Sequence, residues 1–221
     1  ERTKNISSTQ VRNASHPIIR IGVVGTGRIA VRFVPEAKYV SGVMVNSVYN
    51  PKIESAKEFG DQFELDLATD DFNAFMKEVD AIYIASPHQT HYEYAKRALE
   101  QGKHVLCEKP LAFKRAEAEE LFAIAREHGV VLLEAIKTAY CPGFVQLVGI
   151  AKSGVIGQIC DVEACFTRLT DPGLRERTDA AYGGGFTEFG SHTLLPIMKL
   201  MGTNYKEVRF DSIKDENGID L

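Results

Sequence analysis

No apolar run in the 221 residues comes near the roughly 20 that a helix needs to span a bilayer. No secretory leader is visible, so the sequence points to a cytoplasmic protein with no membrane partner. Positive charge is not in excess. The 26 Lys and Arg against 30 Asp and Glu give a net charge of -4, which argues against nucleic acid as a partner. Cys107, Cys141, Cys160 and Cys165 form no C-x-x-C pair, so they read as reduced thiols, and no metal site is expected. Asn5-Ile6-Ser7 and Asn13-Ala14-Ser15 have the form of glycosylation acceptors, but without a leader the matches read as chance. There are no internal repeats and no low-complexity tracts. What is present is ordinary for a soluble globular chain: 44% hydrophobic and 25% charged residues, in a length that suits one domain and part of a second.

The most informative stretch runs from Ile18 to Ala30. Ile18 to Val24 is apolar and β-branched, the composition of a buried parallel strand. Gly25-Thr26-Gly27 then makes a tight turn, and Arg28-Ile29-Ala30 opens a helix. The pattern is G-x-G-x-x-A. Gly25 permits the turn, Gly27 lets the backbone approach a pyrophosphate, and Ala30 lets helix and strand pack closely. The helix N-terminus offers unbonded N–H groups and a positive dipole end to phosphate. Gly25, Thr26, Gly27, Arg28 and Ile29 are therefore candidate dinucleotide contacts. The competing reading is a glycine turn in an α/β fold that binds no nucleotide.

Strands and helices alternate from there. Pro35 should kink or end the first helix. Val43 to Tyr49 reads as the second strand and Ser55 to Phe59 as helical. Thr69-Asp70-Asp71 caps a helix through Glu78, with Phe72, Phe75 and Val79 on one face. Asp80 to Ala85, His104 to Cys107 and Val130 to Glu134 read as strands. Between them lie helices from Tyr92 to Gln101 and from Ala116 to His128, closed by Gly102 and Gly129. After a polar tail over residues 1–17, this predicts a doubly wound parallel sheet of Rossmann type over residues 18–135. Ligands of such sheets bind at the carboxyl ends of the strands, so Ser86-Pro87-His88-Gln89-Thr90-His91 should border the cofactor.

Asn50 stands at the end of the second strand, where an Asp or Glu would bind the adenosine ribose of NAD. It carries no charge to repel a 2′-phosphate, and Lys52 is close by. That leans toward NADP, or toward use of both cofactors. Alternatively, Asn50-Pro51 is only a turn and a helix start.

Character changes after residue 135. Phe144 to Lys152 reads as a helix, and Ile159 to Arg168 alternates like a strand with one exposed face. Thr170 to Ala181 is charged and loop-like. Gly183-Gly184-Gly185 leads into a helix from Thr187 to Met201, closed by Gly202, and Val208 to Ile213 reads as a further strand.

Four segments now stand in order: Gly25-Thr-Gly-Arg-Ile-Ala30, Ser86-Pro-His-Gln-Thr-His91, Gly102-Lys-His-Val-Leu-Cys-Glu-Lys-Pro110 and Gly183-Gly-Gly-Phe-Thr-Glu-Phe-Gly-Ser-His192. Together they resemble the glucose-fructose oxidoreductase, inositol dehydrogenase and rhizopine-catabolism (Gfo/Idh/MocA) oxidoreductases, over residues 18 to about 212. The resemblance implies an N-terminal Rossmann domain for NAD or NADP. It implies that residues 136–221 are part of an α+β domain with a mostly antiparallel sheet, which carries substrate and often the homo-oligomer contact. The implied reaction moves a hydride between nicotinamide and a hydroxyl carbon of a sugar, polyol or related small molecule.

Roles follow residue by residue. Lys109 matches the Glu-Lys-Pro lysine that polarises the reacting oxygen, and a cis bond before Pro110 would aim it into the cleft. His192 matches the family histidine that exchanges the hydroxyl proton; the other reading is a core or capping histidine. Glu188, one helical turn earlier on the same face, stands where the family commonly has Asp, which leaves substrate class open. Ser86, His88 and His91 match the loop at the nicotinamide and its ribose, with His91 ranked as the more structural. Glu108 is expected to contact the cofactor or hold Lys109. Glu134, at the next strand end, faces the same cleft or is a solvated loop carboxylate. Lys137 and Tyr140 are candidate specificity residues.

Family members usually run well beyond 300 residues, so the resemblance implies a C-terminally shortened chain in which two strands of the second sheet would lack partners. A longer parent chain, a truncated gene or another subunit would each account for that. Two further functions stay open: a nucleotide-binding regulator or scaffold without turnover, and an NAD-dependent glycosidase.

Overall fold

The computed structural model describes residues 17–169, 171, 173, 179 and 181–220. The tail expected over residues 1–17, except Pro17, and most of the loop expected from Thr170 to Ala181 lie outside them. The chain divides into two compact units, one ending at Glu134 and one beginning at Ala135.

Among the described residues, the first unit holds six strands: β1 (Ile19–Val24), β2 (Val43–Tyr49), β3 (Leu67–Thr69), β4 (Ala81–Ile84), β5 (His104–Cys107) and β6 (Leu132–Glu134). Every pairing is parallel, and the order across the sheet is β3-β2-β1-β4-β5-β6. This is the Rossmann order, with a switch of direction between β1 and β4, the crevice where such folds take a ligand. The two edge strands have three residues each, which leaves little open ladder for stray pairing.

Five helices flank the sheet: α1 (Arg28–Ala37), α2 (Ile53–Phe63), α3 (Phe72–Lys77), α4 (His91–Leu99) and α5 (Arg115–Glu127). Ala30, Val34 and Ala37 are the buried stripe of α1. Pro35 withholds the N–H that would meet the carbonyl of Val31, yet the helix continues to Ala37 before it stops. The side chain of Asp71 caps α3 by accepting from the backbone of Asn73 and Ala74. Phe75, Met76, Ile82, Ile84, Leu99 and Leu121 are buried in one core. Each such side chain stabilises the fold by about 1.5–3 kcal/mol. Away from the strands' carboxyl ends, Arg20 forms a two-pronged pair with Asp80, its Nη2 lying 2.9 Å from Oδ1. The Asp80 carboxyl is held low mainly by that bond to Arg20, and the pair ties the start of β1 to the residue before β4.

The second unit contains a 3-10 turn (Lys137–Tyr140), α6 (Pro142–Lys152) and α7 (Gly185–Met201). Ile159 to Arg168 and Val208 to Ile213 are not strands, contrary to the sequence expectation. A strand exists through its ladder, and these two segments form none; among the described residues of the second unit, an isolated bridge joins Lys214 to Asp220. The mostly antiparallel sheet is therefore not present among the described residues. No helix of the described residues is long and apolar enough to cross a membrane.

Candidate cofactor and active site

The carboxyl ends of the parallel strands bring most of the expected residues of the first unit to one edge. Gly25, Thr26 and Gly27 follow β1, Asn50 and Lys52 follow β2, and Ser86, His88 and His91 follow β4. Glu108 and Lys109 follow β5, and Glu134 closes β6.

The glycine turn has the shape that a pyrophosphate requires. Gly25 has φ +100°, and a Cβ there would sit 2.7 Å from the carbonyl oxygen of Ala85 at the end of β4. The turn is thus pressed against the neighbouring strand, which only glycine allows. Gly27 is the opposite case, since a Cβ there would meet nothing within 4 Å. It borders open space at the start of α1, whose N-terminus has no side-chain cap. Arg28, Ile29 and Lys52 are exposed. These residues fit a dinucleotide: a close turn, backbone donors without a side-chain cap, and two exposed cations, Arg28 and Lys52, near the strand ends.

Asn50 is engaged at both ends of its amide. Nδ2 donates to Thr26 Oγ1 at 2.8 Å, and Oδ1 accepts from the Lys52 backbone at 2.9 Å. Asn50 therefore does make a local turn, and it also fastens the glycine loop.

The Glu108-Lys109-Pro110 segment is gripped from three elements. Tyr83, buried on β4 and stacked on Phe33 with ring centroids 3.8 Å apart, donates its hydroxyl to Glu108 Oε1 at 2.6 Å. Burial, followed by the charge of Glu108, pushes the Tyr83 phenol far up, so it remains a donor. His91 Nδ1 lies 2.8 Å from the Pro110 carbonyl. Glu134 Oε1 accepts from the Leu111 backbone at 3.0 Å, so the half-buried Glu134 is held rather than loose. Its carboxyl is raised by burial first and then by Glu108, while the Leu111 bond and Lys109 oppose that. The Lys109–Pro110 bond is cis, as the resemblance implied. Cys107, just before the segment, is buried, and burial raises its thiol. Among the described residues, no cluster could hold a metal ion.

Sequence reasoning missed Tyr83, because a tyrosine within an apolar strand reads as core. Its hydroxyl was the available signal, since a buried phenol needs a partner. His88 lies on a 3-10 turn (His88–Thr90), its ring centroid 5.5 Å from that of His91. Ser86 Oγ and Thr90 Oγ1 are 2.7 Å apart and close this loop.

In the second unit, Glu188 is buried on α7, and His192 stacks on Phe166 with ring centroids 5.4 Å apart. Asp220 caps this helix from outside the motif. Its carbonyl accepts from Gly185 at 2.9 Å and its Oδ2 from Phe186 at 2.7 Å. Lys137 and Tyr140 lie on the 3-10 turn of this unit, with Tyr140 62% exposed.

Similar proteins agree with this picture. The chain is 30% identical over 211 residues to scyllo-inositol 2-dehydrogenase (NADP(+)) IolU of Bacillus subtilis, covering 92% of this chain and 64% of that one. It is 36% identical over 170 residues to dTDP-3,4-didehydro-2,6-dideoxy-alpha-D-glucose 3-reductase of Actinomadura kijaniata, covering 76% and 51%. A crystal structure of KijD10, a 3-ketoreductase from Actinomadura kijaniata, in complex with NADP and TDP-benzene superposes with a TM-score of 0.74 at 33% identity, covering 85% and 58%. The chain spans about half to two thirds of the length of these relatives. Residues 19–136 match the GFO_IDH_MocA family, described as an oxidoreductase family with an NAD-binding Rossmann fold. With the strand order, the glycine turn and the gripped Glu-Lys-Pro segment already in place, the chain belongs to the Gfo/Idh/MocA oxidoreductase family.

Proposed function

We propose that the chain is an NAD(P)-dependent oxidoreductase that moves a hydride between nicotinamide and the hydroxyl or carbonyl carbon of a sugar, polyol or related small molecule. The observation that carries this reading is Lys109, set in a segment whose neighbours are held by Tyr83, His91 and Glu134, at the same sheet edge as the glycine turn. A bound nicotinamide supplies the hydride acceptor or donor. Gly25, Thr26, Gly27 and the start of α1 hold its pyrophosphate. Lys109 donates a hydrogen bond to the reacting oxygen and stabilises negative charge as it develops there. His192 exchanges the hydroxyl proton, and Glu188 orients substrate or the imidazole.

NADP is favoured over NAD. Asn50 brings no negative charge to the end of β2, Arg28 and Lys52 are exposed cations, and the inositol dehydrogenase relative is named for NADP(+). Those relatives' names support a sugar-like substrate. Ile159 to Arg168 and Val208 to Ile213 are the segments that would enter a shared sheet, in a longer polypeptide or in a homo-oligomer.

Calorimetric titration with NADPH and NADH, followed by turnover on a panel of sugars and polyols, tests this reading. Tighter binding of NADPH and measurable turnover are expected. Lys109→Ala and His192→Ala should each lower kcat by about 10²–10⁴-fold and leave NADPH affinity within about threefold. Wild-type rates in both variants would remove the assignment. Binding without turnover on any substrate would leave a nucleotide-binding protein.

A further inference from the structure

His91 opens α4, and its ring is fully buried, with 0% exposure. Nδ1 lies 2.8 Å from the Pro110 carbonyl oxygen, and Nε2 lies 3.0 Å from the Ser86 carbonyl oxygen. Both are hydrogen-bond distances. A carbonyl oxygen only accepts, so each contact needs a proton on the ring nitrogen. A neutral imidazole has one N–H. It can bond one carbonyl, and its other nitrogen then turns a lone pair toward a lone pair. An imidazolium bonds both.

Several groups bear on that choice. His88 faces the ring from the preceding 3-10 turn, and Glu108 and Lys109 face it from the loop after β5. The first turn of a helix is a poor place for a cation. Burial opposes the charged form most strongly and Lys109 adds to that, while the two carbonyls and Glu108 favour it; the balance holds the ring below the usual histidine range. Near neutral pH the ring therefore carries one proton to share between two acceptors. The ring proton is assigned to Nδ1, whose contact is the shorter of the two.

The two carbonyls belong to different parts of the site. Ser86 begins the loop after β4, and Pro110 directly follows Lys109. We propose that His91 is a positioning residue for Lys109 and a switchable bridge between these loops. The neutral ring, carrying its proton on Nδ1, holds Pro110 and leaves the Ser86 carbonyl unbonded; a second ring proton, taken from solvent, ties both loops together. This rests on the reading of Lys109 and the Ser86 loop given above. Its consequence is a division of labour. The lysine segment stays anchored across the working pH range, while the Ser86 loop can yield for cofactor exchange near neutrality and tightens in acid.

Two substitutions separate the two contacts. The amide nitrogen of Asn falls near the position of Nδ1, so His91→Asn keeps the Pro110 bond. That of Gln falls near Nε2, so His91→Gln keeps only the Ser86 bond. We expect His91→Asn to hold kcat within about threefold and His91→Gln to lose at least about tenfold, with NADPH affinity near wild type in both. Dissociation of NADPH should slow in acid for wild type and stay flat with pH for His91→Asn. Nitrogen-15 NMR of histidine-labelled wild-type protein reads the tautomer without any need for activity. A protonated Nδ1 beside a bare Nε2 near neutral pH, with both protonated in acid, supports the bridge. A protonated Nε2 with bare Nδ1, an imidazolium at neutral pH, or equal kcat losses with equal falls in Tm for Asn and Gln would overturn it. If wild type turns over no sugar or polyol, the oxidoreductase reading fails, and the NMR tautomer still decides the bridge.

Discussion

The amide of Asn50 donates to the hydroxyl of Thr26 at 2.8 Å, so the end of β2 grips the turn between the two glycines that follow β1. One residue thereby fastens the glycine turn from the end of β2, the position from which dinucleotide-binding folds read the ribose.

Asn50→Ala removes that bond and should weaken NADPH binding about fivefold, in line with a hydrogen bond of about 1 kcal/mol. Asn50→Asp is the sharper variant. Its carboxylate can still accept from the Thr26 hydroxyl and the Lys52 backbone, but it adds a negative charge. NADPH affinity should fall at least about tenfold while NADH holds within about twofold. Calorimetry with both cofactors measures this, and an unchanged preference would show that the end of β2 does not read the 2′-position.

The two glycines of the turn should respond differently. Gly25→Ala forces a side chain into φ +100° and against the Ala85 carbonyl, so Tm should drop by several degrees and cofactor binding should vanish. Gly27→Ala meets open space. Its Tm should match wild type, and only cofactor affinity should fall, by about 10²-fold, because the methyl occupies room meant for phosphate. Thermal melts with and without NADPH separate the two cases.

Much of this was legible in advance. The strands β1, β2, β4 and β5 stood out because each is rich in apolar and β-branched residues, and a buried parallel strand needs no strict alternation. β3 did not, because Leu67–Thr69 is three residues long and carries no period. The alternation of Ile159 to Arg168 misled for the reverse reason: the pattern was present, but pairing depends on a neighbour that local sequence cannot display. Glu108 and Lys109 were found by resemblance. The grips of Tyr83 and Glu134 on that segment were hidden, since each joins a strand residue to the loop after β5, far away in sequence.

Glu134 offers a test by pH. Its folded carboxyl is raised above the ordinary value of 4.5, so the folded chain holds that proton more tightly than the unfolded chain. The associated stability is complete below about 4.5 and is lost as pH rises through the raised value. Glu134→Gln keeps an oxygen for the Leu111 N–H and cannot ionise. Relative to wild type, the variant should gain in denaturant midpoint as pH climbs from acid to neutral. The opposite trend in urea titrations would mean that the charged acceptor outweighs its desolvation.

The cap that Asp220 places on α7 closes a loop across 34 residues. Such a closure costs about 3 kcal/mol in chain entropy. The charge-assisted bond from Phe186, about 1.5–3 kcal/mol, the bond from Gly185, about 0.5–1.5 kcal/mol, and the burial of Ile219, about 1.5–3 kcal/mol, exceed it by only a few kcal/mol. The first turn of α7, which holds Glu188, is therefore poised to fray independently of the turns beyond it. Its amides should exchange with solvent ahead of those near Leu195. A single proteolytic nick in the exposed stretch from Thr203 to Ile213 would release that turn with no change in or beside Glu188.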